Sequence, residues 1–397
     1  MRFVFEAVLA PWEDYVNHPN ASTTFPKPAA VPEAMVRYMT EAGTNIGRGE
    51  YSSAFDVEDA VFCARERLCG LLGGEDPSQV VFTRNVTESL NLVLKGYLRP
   101  GDHVVVSSME HNAVMRPLSQ LAELGVRVDR AECSPTGELD PACVERLIEP
   151  GTRLVLTTHA SNVCGTVLPI ERIAEVCRAH GVRYVVDAAQ TAGVLPIDAA
   201  GWGIDAVCFT GHKGLLGPQG VGGAVFCNGF ASEINALVAG GTGSSSDLER
   251  MPAFMPDRLE AGTPNLPGII GLGAALVWIE ERGIDAIREH ELALTGRLIG
   301  GLAELEDAGK VRVVGKKSLE GRTGVVSIQT PGRELAEVAH ELDARHGIQV
   351  RVGLHCAPSA HRTLGTFPTG TIRFSVGWAN TEDDVDAALA ALREILA

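Results

Sequence analysis

Short apolar runs alternate with amphipathic stretches between residues 79 and 227, and this alternation restricts the possible folds more than any other feature of the chain. Stretches with helical spacing of apolar residues, such as PIERIAEVCRAHG, lie between most of the runs. Near-continuous apolar strands separated by helices indicate a mostly parallel sheet that is covered on both faces. The sequence therefore predicts a large α/β domain with seven strands, at residues 79–83, 103–108, 126–131, 153–159, 182–189, 205–211 and 222–227.

The pattern changes after about residue 265. One long helical run is predicted over 271–306, and a final helix begins near the TEDD sequence at 381–384, where a threonine precedes acidic residues. Between them the sequence predicts strands at 324–330, 349–353 and 371–376 and a helix at 333–347. We therefore expect a smaller α+β C-terminal domain. The large domain is expected to span 21–264, and the small domain to combine 1–20 with 265–397.

Charge and cysteine content exclude several classes of partner. The chain of 397 residues has a net charge of -16, whereas nucleic acids and anionic membranes bind clusters of lysine and arginine. No stretch approaches the roughly 18 apolar residues that a membrane-spanning helix needs, and the N-terminus lacks the features of a signal peptide. The nine cysteines form no CxxC pair and no metal-ligand spacing, which is typical of reduced thiols. We expect a cytoplasmic protein without a nucleic acid, membrane or metal partner.

Polar side chains follow the carboxyl ends of five of the predicted strands. In an open α/β sheet these ends lie at one edge, and ligands bind in the crevice beside them. Each of these residue types is also common in turns and helix caps, and that alternative stays open for any single residue. The residues are Thr87, Glu88, Glu110, His111, Asn112, His159, Asn162, Asp187, Gln190, Thr210, His212 and Lys213.

Three of these residues have the spacing of a site for pyridoxal 5'-phosphate. Gln190 follows three residues after Asp187, and Lys213 lies 26 residues beyond Asp187, after the next strand. In such a site the lysine forms a Schiff base, the buried aspartate pairs with the pyridinium nitrogen, and hydroxyl groups at helix N-termini hold the phosphate. A lysine beside a glycine-rich loop at a strand end is costly unless it is used, because lysine is seldom fully buried. The sequence therefore predicts pyridoxal phosphate as the cofactor.

The motifs VVDAAQ and FTGHKGLLGPQG carry a resemblance to a known family. Here the chain resembles the class V aminotransferase group of fold type I pyridoxal phosphate enzymes, and more narrowly its cysteine desulfurase and selenocysteine lyase branch. The resemblance covers nearly the whole chain. Further counterparts are NASTTFPKP, TNIGRG, FTRNVTESLNLV, MEHNAVMRPL, EAGTPN, RVGLHCAP and GTIRFSVGWANTEDDVD.

The resemblance implies a role for each matching residue. Lys213 would form the Schiff base, Asp187 would pair with the pyridine nitrogen and His111 would stack on the ring. Gln190 and Asn162 would approach the ring hydroxyl and the substrate carboxylate. The remaining expected cofactor-binding residues are Thr87, Glu88, Thr210 and His212, with Thr242 contributed by a second subunit. The expected substrate-binding residues are Arg373, which would clamp the α-carboxylate, together with Asn45, Arg351 and His355.

The resemblance also implies a reaction and its partners. Lys213 would move the Cα proton of the substrate, and the thiolate of Cys356 would attack the substrate sulfur, because nearby positive charge favours the thiolate form. The expected protein is a homodimer with shared active sites. It would take sulfur from L-cysteine, or selenium from L-selenocysteine, leave L-alanine, and hold the sulfur as a persulfide on Cys356, with a protein as the expected sulfur acceptor.

Two alternatives stay open at the level of the sequence. In the first, the same cofactor serves an aminotransferase, a β-lyase or an epimerase, and Cys356 takes no part. Most cysteines are inert buried thiols, which favours this reading for any one of nine. In the second, the fold is a catalytically silent sulfur-relay scaffold.

Overall fold

A seven-stranded sheet lies at the centre of the larger part of the molecule in the computed structural model, which describes residues 20–46, 52–245 and 247–397. Every predicted strand of the α/β domain is present, with its ends within three residues of the predicted ones. The strands are β1 (Val80–Thr83), β2 (His103–Ser107), β3 (Arg127–Ala131), β4 (Thr152–Thr158), β5 (Arg183–Asp187), β6 (Ala206–Thr210) and β7 (Gly222–Phe226).

The order of the strands across this sheet is β1-β7-β6-β5-β4-β2-β3. Strands β2 to β6 pair in parallel, while β7 is antiparallel to both of its neighbours. The prediction of a mostly parallel sheet is therefore confirmed. Parallel pairing places the carboxyl ends of β2, β4, β5 and β6 at the same edge, where a ligand site is expected.

Helices cover both faces of this sheet because alternate strand residues are apolar on each side. Val105, Val155 and Val186 contact one hydrophobic cluster, and Val104 and Leu154 contact the other. Two caps shape the edge that carries the polar residues: the Asn85 side chain caps the third helix and His111 caps the fourth. The helices are α1 (Ala30–Arg37), α2 (Ser52–Leu71), α3 (Val86–Tyr97), α4 (Asn112–Glu123), α5 (Pro141–Glu145), α6 (Ile170–His180) and α7 (Ala199–Trp202).

The C-terminal part contains a second sheet of four antiparallel strands in the order β10-β11-β9-β8. Helices pack against it through a cluster that includes Leu298, Leu342 and Leu392. An α+β organisation of this part is confirmed. Its elements are α8 (Leu266–Arg282), α9 (Ile284–Asp307), β8 (Arg312–Val314), β9 (Val325–Gln329), α10 (Leu335–His346), β10 (Arg351–Gly353), α11 (Pro358–Thr363), β11 (Thr371–Ser375) and α12 (Glu382–Ile395).

Two details of the C-terminal prediction are wrong. The long helix expected over 271–306 is divided at Gly283, whose φ of 81° and ψ of 136° break the helical path. Strand β8 and helix α11 were not predicted. They have three and six residues, which are too few to show a periodic pattern of apolar side chains.

The two parts meet at a small hydrophobic cluster beside the edge with the polar residues. Met109 and Val163 of the larger part contact Val314, Ala357 and Leu364 of the C-terminal part. The sequence around Cys356 is thereby packed against the carboxyl ends of the large sheet. The predicted domain limits stay a prediction, and residues 1–19 lie outside the described residues.

Two kinds of feature are absent from the described ranges. Across 20–46, 52–245 and 247–397, no helix combines the length and the apolar character needed to cross a membrane. The same ranges contain no group of three or more His, Cys, Asp or Glu side chains placed to hold a metal ion.

Candidate active site

A cavity of about 320 Å³ opens at the carboxyl ends of β1, β2, β4, β5 and β6. Eight of the residues predicted from the sequence to bind the cofactor line it together. The complete lining is Ser22, Asn85, Val86, Thr87, His111, Thr158, Asn162, Asp187, Ala189, Gln190, Thr210, His212 and Lys213. The sheet topology therefore brings side chains from five strand ends and an N-terminal loop into one site.

The Lys213 ammonium is held in this cavity without a hydrogen bond or ion pair to any described residue. Burial lowers the pKa of Lys213 to about 8; the Asp187 carboxylate opposes this shift, and the charges of Arg373 and Arg351 add to it. A lysine with this pKa is partly neutral near pH 8, and a neutral amine is both a nucleophile and a base.

The main chain at Lys213 is fixed by a segment to which sequence reasoning gave no role. The hydroxyl of Thr24 donates to the Lys213 carbonyl at 2.7 Å, and its backbone N–H donates to the His212 carbonyl at 3.0 Å. The Lys27 ammonium donates to the same His212 carbonyl at 2.7 Å, and burial lowers the pKa of Lys27 to about 8. Thr24 and Lys27 both belong to the NASTTFPKP motif, so the motif marked the segment but not its function.

Asp187 ends strand β5 and is almost completely buried. One carboxylate oxygen accepts the backbone N–H of Ala189 at 2.9 Å. Burial raises the pKa of Asp187, against the effects of this hydrogen bond and of the Lys213 charge. A buried carboxylate of this kind suits a cationic partner in the cavity, because pairing offsets the cost of its desolvation.

His111 presents a neutral ring to the cavity. Its Nδ1 accepts the backbone N–H of Ala113 at 3.0 Å, so the proton of the neutral ring lies on Nε2. Burial lowers the pKa of His111 to about 4, and the charges of Lys213, Arg351 and Arg373 contribute to this shift. The residue is positioned by its place as the N-cap of α4.

The cavity lining includes buried polar groups that lack hydrogen-bond partners among the described residues. The hydroxyl of Thr210 and Nδ1 of His212 are buried, and neither has a hydrogen-bond partner among the described residues. Thr87 stands in the first turn of α3, where backbone N–H groups have no carbonyl one turn earlier. The start of α3 packs closely against Gly222 on β7, because a Cβ atom at Gly222 would lie only 2.7 Å from the Asn85 Cα. Such a cluster of donors at a helix N-terminus suits a phosphate group.

Arg373 lies buried behind the cavity wall. Its guanidinium donates to the Asn162 carbonyl and to the Ser22 hydroxyl, each at 2.8 Å, and Asn162 and Ser22 both line the cavity. Its Nε is buried without a partner among the described residues. Burial lowers the pKa of Arg373 to about 9, with the charge of Arg351 adding to the shift. Gln190, by contrast, donates to the Ala21 carbonyl at 3.2 Å.

The exposed thiol of Cys356 lies in a loop between β10 and α11. The Arg351 guanidinium donates to its sulfur at 3.3 Å. The carbonyl of Cys356 accepts the backbone N–H of Asn112 at 2.7 Å, immediately after His111. A thiolate charge on Cys356 would raise the pKa values of both Lys213 and Arg373. The Cys356 loop is therefore tied to the residue next to His111, which lines the cavity.

Seven predicted site residues are outside the cavity lining: Arg373, Arg351 and Cys356, described above, and His355, Asn45, Glu88 and Thr242. His355 is buried, and its ring bonds Thr371 rather than lining the cavity. Asn45, Glu88 and Thr242 line a separate groove of about 490 Å³. The Glu88 carboxylate accepts from the backbone N–H and the guanidinium of Arg84, at 2.7 Å and 2.8 Å, so this ion pair occupies the carboxylate that was expected to contact the cofactor.

For Thr242, the expectation concerns the cavity of a second subunit and stays a prediction. Its hydroxyl lies within 3.1 Å of the Ser244 hydroxyl in the separate groove. A sequence cannot show which side of a helix or loop faces a given cavity when the helix borders two of them. Glu88 follows Thr87 directly, yet the two side chains line different hollows.

Comparisons with known proteins agree in covering nearly the whole chain. The model of the family "Aminotransferase class-V" matches residues 17–388. The chain is similar to a Methanothermobacter thermautotrophicus protein named "Probable cysteine desulfurase", with 34% identity over 95% of this chain and 94% of that protein. A protein with the same name from Halobacterium salinarum shows 33% identity over 98% of this chain and 94% of its own length.

Two solved structures have closely similar folds. The apo cysteine desulfurase of Thermococcus onnurineus NA1 matches with a TM-score of 0.90 and 33% identity, over 97% of this chain and 95% of that one. The cysteine desulfurase CsdA of Escherichia coli, in an S-sulfonic acid form, matches with a TM-score of 0.85 and 30% identity, over 98% of this chain and 96% of that one.

Proposed function

The chain belongs to the aminotransferase class-V family, and on that premise we propose that it is a pyridoxal phosphate-dependent cysteine desulfurase. It converts L-cysteine to L-alanine and leaves a persulfide on Cys356. The family and fold expected from the sequence motifs are confirmed by the family match and the structural neighbours. One observation carries the proposed activity: the exposed thiol of Cys356 lies beside the Arg351 guanidinium, in a loop bonded to Asn112, the residue next to His111 of the cavity lining.

The donor set of the cavity fits pyridoxal phosphate. Thr87, Thr210 and His212 supply hydroxyl and ring donors for the phosphate, two of them buried and otherwise unsatisfied. Asp187 is the carboxylate for the pyridinium nitrogen, Lys213 is the amine for the aldehyde, and the remaining wall is formed by His111, Gln190 and Asn162. When bound, the cofactor supplies an electron sink for the carbanion formed at the substrate Cα.

Lys213 is the base that moves the Cα proton. Its pKa of about 8 makes a sizeable fraction of the amine neutral near physiological pH, as proton abstraction requires. Arg373 binds the substrate carboxylate through its planar guanidinium. The buried, unpartnered Nε of Arg373 supports this assignment, because a carboxylate would satisfy a donor that the described residues leave free.

Cys356 accepts the sulfur. Its thiolate attacks the substrate sulfur, so an S–S bond forms while the Cβ–S bond breaks. The electron pair of the broken bond stays with the substrate carbon and is protonated, which yields alanine. L-cysteine and the thiol therefore become L-alanine and a persulfide without any external oxidant. The Arg351 guanidinium favours the attacking thiolate form.

Product analysis with a Cys356→Ser variant tests this proposal. We expect the wild-type holoenzyme to release alanine from L-cysteine, and the variant to release less than about 1% as much, because the hydroxyl is a much weaker nucleophile for sulfur. Cys63→Ser is the matched control, since Cys63 is also exposed but lies on α2. Undiminished turnover by Cys356→Ser would instead favour a β-lyase or aminotransferase.

The range of substrates and the assembly are part of the same proposal. L-selenocysteine has a Cβ–Se bond at the position of the Cβ–S bond of L-cysteine, so a panel of amino acids that includes it measures how strictly the enzyme selects sulfur over selenium. We also propose a homodimer in which Thr242 reaches the cavity of the second subunit. Mixing inactive Lys213→Ala and Thr242→Ala proteins tests this arrangement. In a mixed dimer with shared sites, one of the two sites contains both native residues, so activity should return. A mixture that stays inactive contradicts the arrangement.

A further inference from the structure

His355 and Cys356 form an unusual pair of residues in the loop that carries the proposed sulfur acceptor. Both have left-handed backbone conformations, with φ of 48° and 59°, and neither is glycine. Such a conformation is unfavourable for a residue with a Cβ atom and persists only where the surrounding structure holds it. The contacts that hold this loop therefore also determine where the Cys356 thiol lies.

Two contacts come from the larger part of the molecule and act on the main chain of the loop. The backbone N–H of Asn112 donates to the Cys356 carbonyl at 2.7 Å. The side-chain amide of Asn162 donates to the His355 carbonyl at 2.8 Å. Asn162 lines the cavity, and Asn112 directly follows the lining residue His111, so the loop is attached to the cavity wall.

The His355 ring starts a chain of buried hydrogen bonds that returns to the same wall. Its Nε2 lies 2.9 Å from the Thr371 hydroxyl on β11. The Thr371 hydroxyl donates to Ser327 on β9 at 3.2 Å, and the Ser327 hydroxyl donates to the Val163 carbonyl at 2.5 Å. Because Val163 follows Asn162, these five residues close a ring, which we call the interdomain circuit.

The direction of the hydrogen bonds in the interdomain circuit fixes the tautomer of His355. The Val163 carbonyl only accepts, so the Ser327 hydroxyl must donate to it. Ser327 then accepts from Thr371, and Thr371 accepts from Nε2–H of His355. Nδ1 of His355 carries no proton in this arrangement, and it is buried without a partner among the described residues.

The ring of His355 stays neutral over the physiological range. Burial lowers the pKa of His355 to about 2, and the charges of Arg373, His361 and Arg351 contribute to this shift. Such a weak base cannot take the proton of a thiol efficiently near neutral pH. Its role must therefore come from the hydrogen bond it donates and from the conformation it adopts.

We propose that the interdomain circuit positions the Cys356 thiol, with His355 as the positioning residue that locks the left-handed loop by donating to Thr371. This inference rests on the proposed function, in which Cys356 accepts sulfur. Without the circuit, the loop relaxes toward ordinary backbone angles, and the Cys356 sulfur leaves the Arg351 guanidinium at 3.3 Å. Thr371 and Ser327 of the circuit do not line the cavity, so breaking the circuit at these two residues leaves cofactor binding unchanged.

Thr371→Val tests the proposal, with Thr371→Ser as the matched control. Valine keeps the shape of threonine but removes the hydroxyl, whereas serine keeps the hydroxyl. On the holoenzyme we measure three quantities: alkylation of Cys356 by iodoacetamide relative to Cys63 in the same molecule, binding of sulfur-free L-alanine followed by cofactor absorbance, and alanine release from L-cysteine. Ser327→Ala breaks the same chain one link further away and serves as the second variant.

We expect Thr371→Val to slow alkylation of Cys356 relative to Cys63 and alanine release by about tenfold, because a buried hydrogen bond is lost. Affinity for L-alanine should change by less than about twofold, and Thr371→Ser should behave like the wild type. Two results overturn the proposal: a wild-type alkylation ratio in both Thr371→Val and Ser327→Ala, or a uniform loss of stability and L-alanine affinity.

The test separates this inference from the proposed function. Alkylation reports the position of the thiol and requires no turnover. If Cys356→Ser retains full activity, the proposed sulfur transfer fails, while the alkylation ratio still shows whether the interdomain circuit positions the thiol. If Cys356 is required but the ratio does not respond, only the circuit fails.

Discussion

The cavity wall and the Cys356 loop meet at one site but are positioned in different ways. Wall residues such as Asp187, Thr210 and Lys213 stand at the ends of parallel strands, within a few residues of a strand that fixes them. The loop has left-handed backbone angles and is held by partners far away in sequence, including Asn162, which is separated from His355 by 193 positions. Secondary structure thus places the cofactor chemistry, and tertiary contacts place the sulfur acceptor.

This difference implies that the two regions can be damaged separately. A change in the wall should abolish both the binding of the cofactor and every later step. A change in the loop should leave the cofactor and the amino acid bound and should slow only the transfer of sulfur. The following predictions test that separation, beginning with the largest expected effect.

Lys213→Ala should reduce alanine release by at least about 10² to 10⁴-fold, because the amine that binds the cofactor and moves the Cα proton is removed. Borohydride reduction of the wild-type holoenzyme, followed by peptide mass spectrometry, should place the cofactor on Lys213, and the variant should carry none. Lys317→Ala, which removes an exposed lysine paired with Glu306, is the control. Covalent cofactor on another lysine of the wild type would contradict the assignment.

Arg351→Gln should reduce alanine release by about tenfold, since one charge-assisted contact to the Cys356 sulfur is lost. The amount of cofactor trapped on Lys213 should not change. The sequence also predicted Arg351 as a substrate-binding residue, and the two roles give different results. A weaker affinity for L-alanine would support a contact with the substrate carboxylate, whereas unchanged affinity with slower sulfur transfer would support a role at the thiol.

The same distinction explains how far the sequence could be interpreted. Strand periodicity located all seven strands of the large sheet, and the topology rule for strand ends then identified most of the cavity lining. The rule says nothing about the side to which a neighbouring residue points, so Glu88 was assigned to the cavity although its carboxylate pairs with Arg84. Burial of His355 and the hydrogen bonds of Thr24 and Lys27 to residues 212–213 depend on packing between distant segments. No local pattern encodes such contacts.

Glu110 offers a test of the wall that depends on pH. It lies fully buried beneath the cavity, where one oxygen accepts from the Ser107 hydroxyl and from the Thr158 backbone N–H at 2.9 Å. The other oxygen is buried without a partner among the described residues. Burial raises the pKa of Glu110 from 4.5 to about 8, with the Asp187 charge contributing. The folded protein therefore keeps this carboxyl protonated near neutral pH.

Glu110→Gln should make the free energy of unfolding less dependent on pH between about 4.5 and 8. A raised pKa in the folded state gives stability that is fully present below pH 4.5 and is lost as the pH rises through 8, because only the unfolded chain releases the proton in that window. Glutamine retains an acceptor oxygen and does not titrate. Urea unfolding at pH 5 to 8 should show a smaller decline in the free energy of unfolding for the variant than for the wild type.

Glu291 also has a pKa raised to about 8, but it titrates in both proteins, so its effect cancels in the difference between them. Parallel curves would mean that Glu110 is ionised in the folded protein, and the cavity wall would then carry two neighbouring negative charges instead of one.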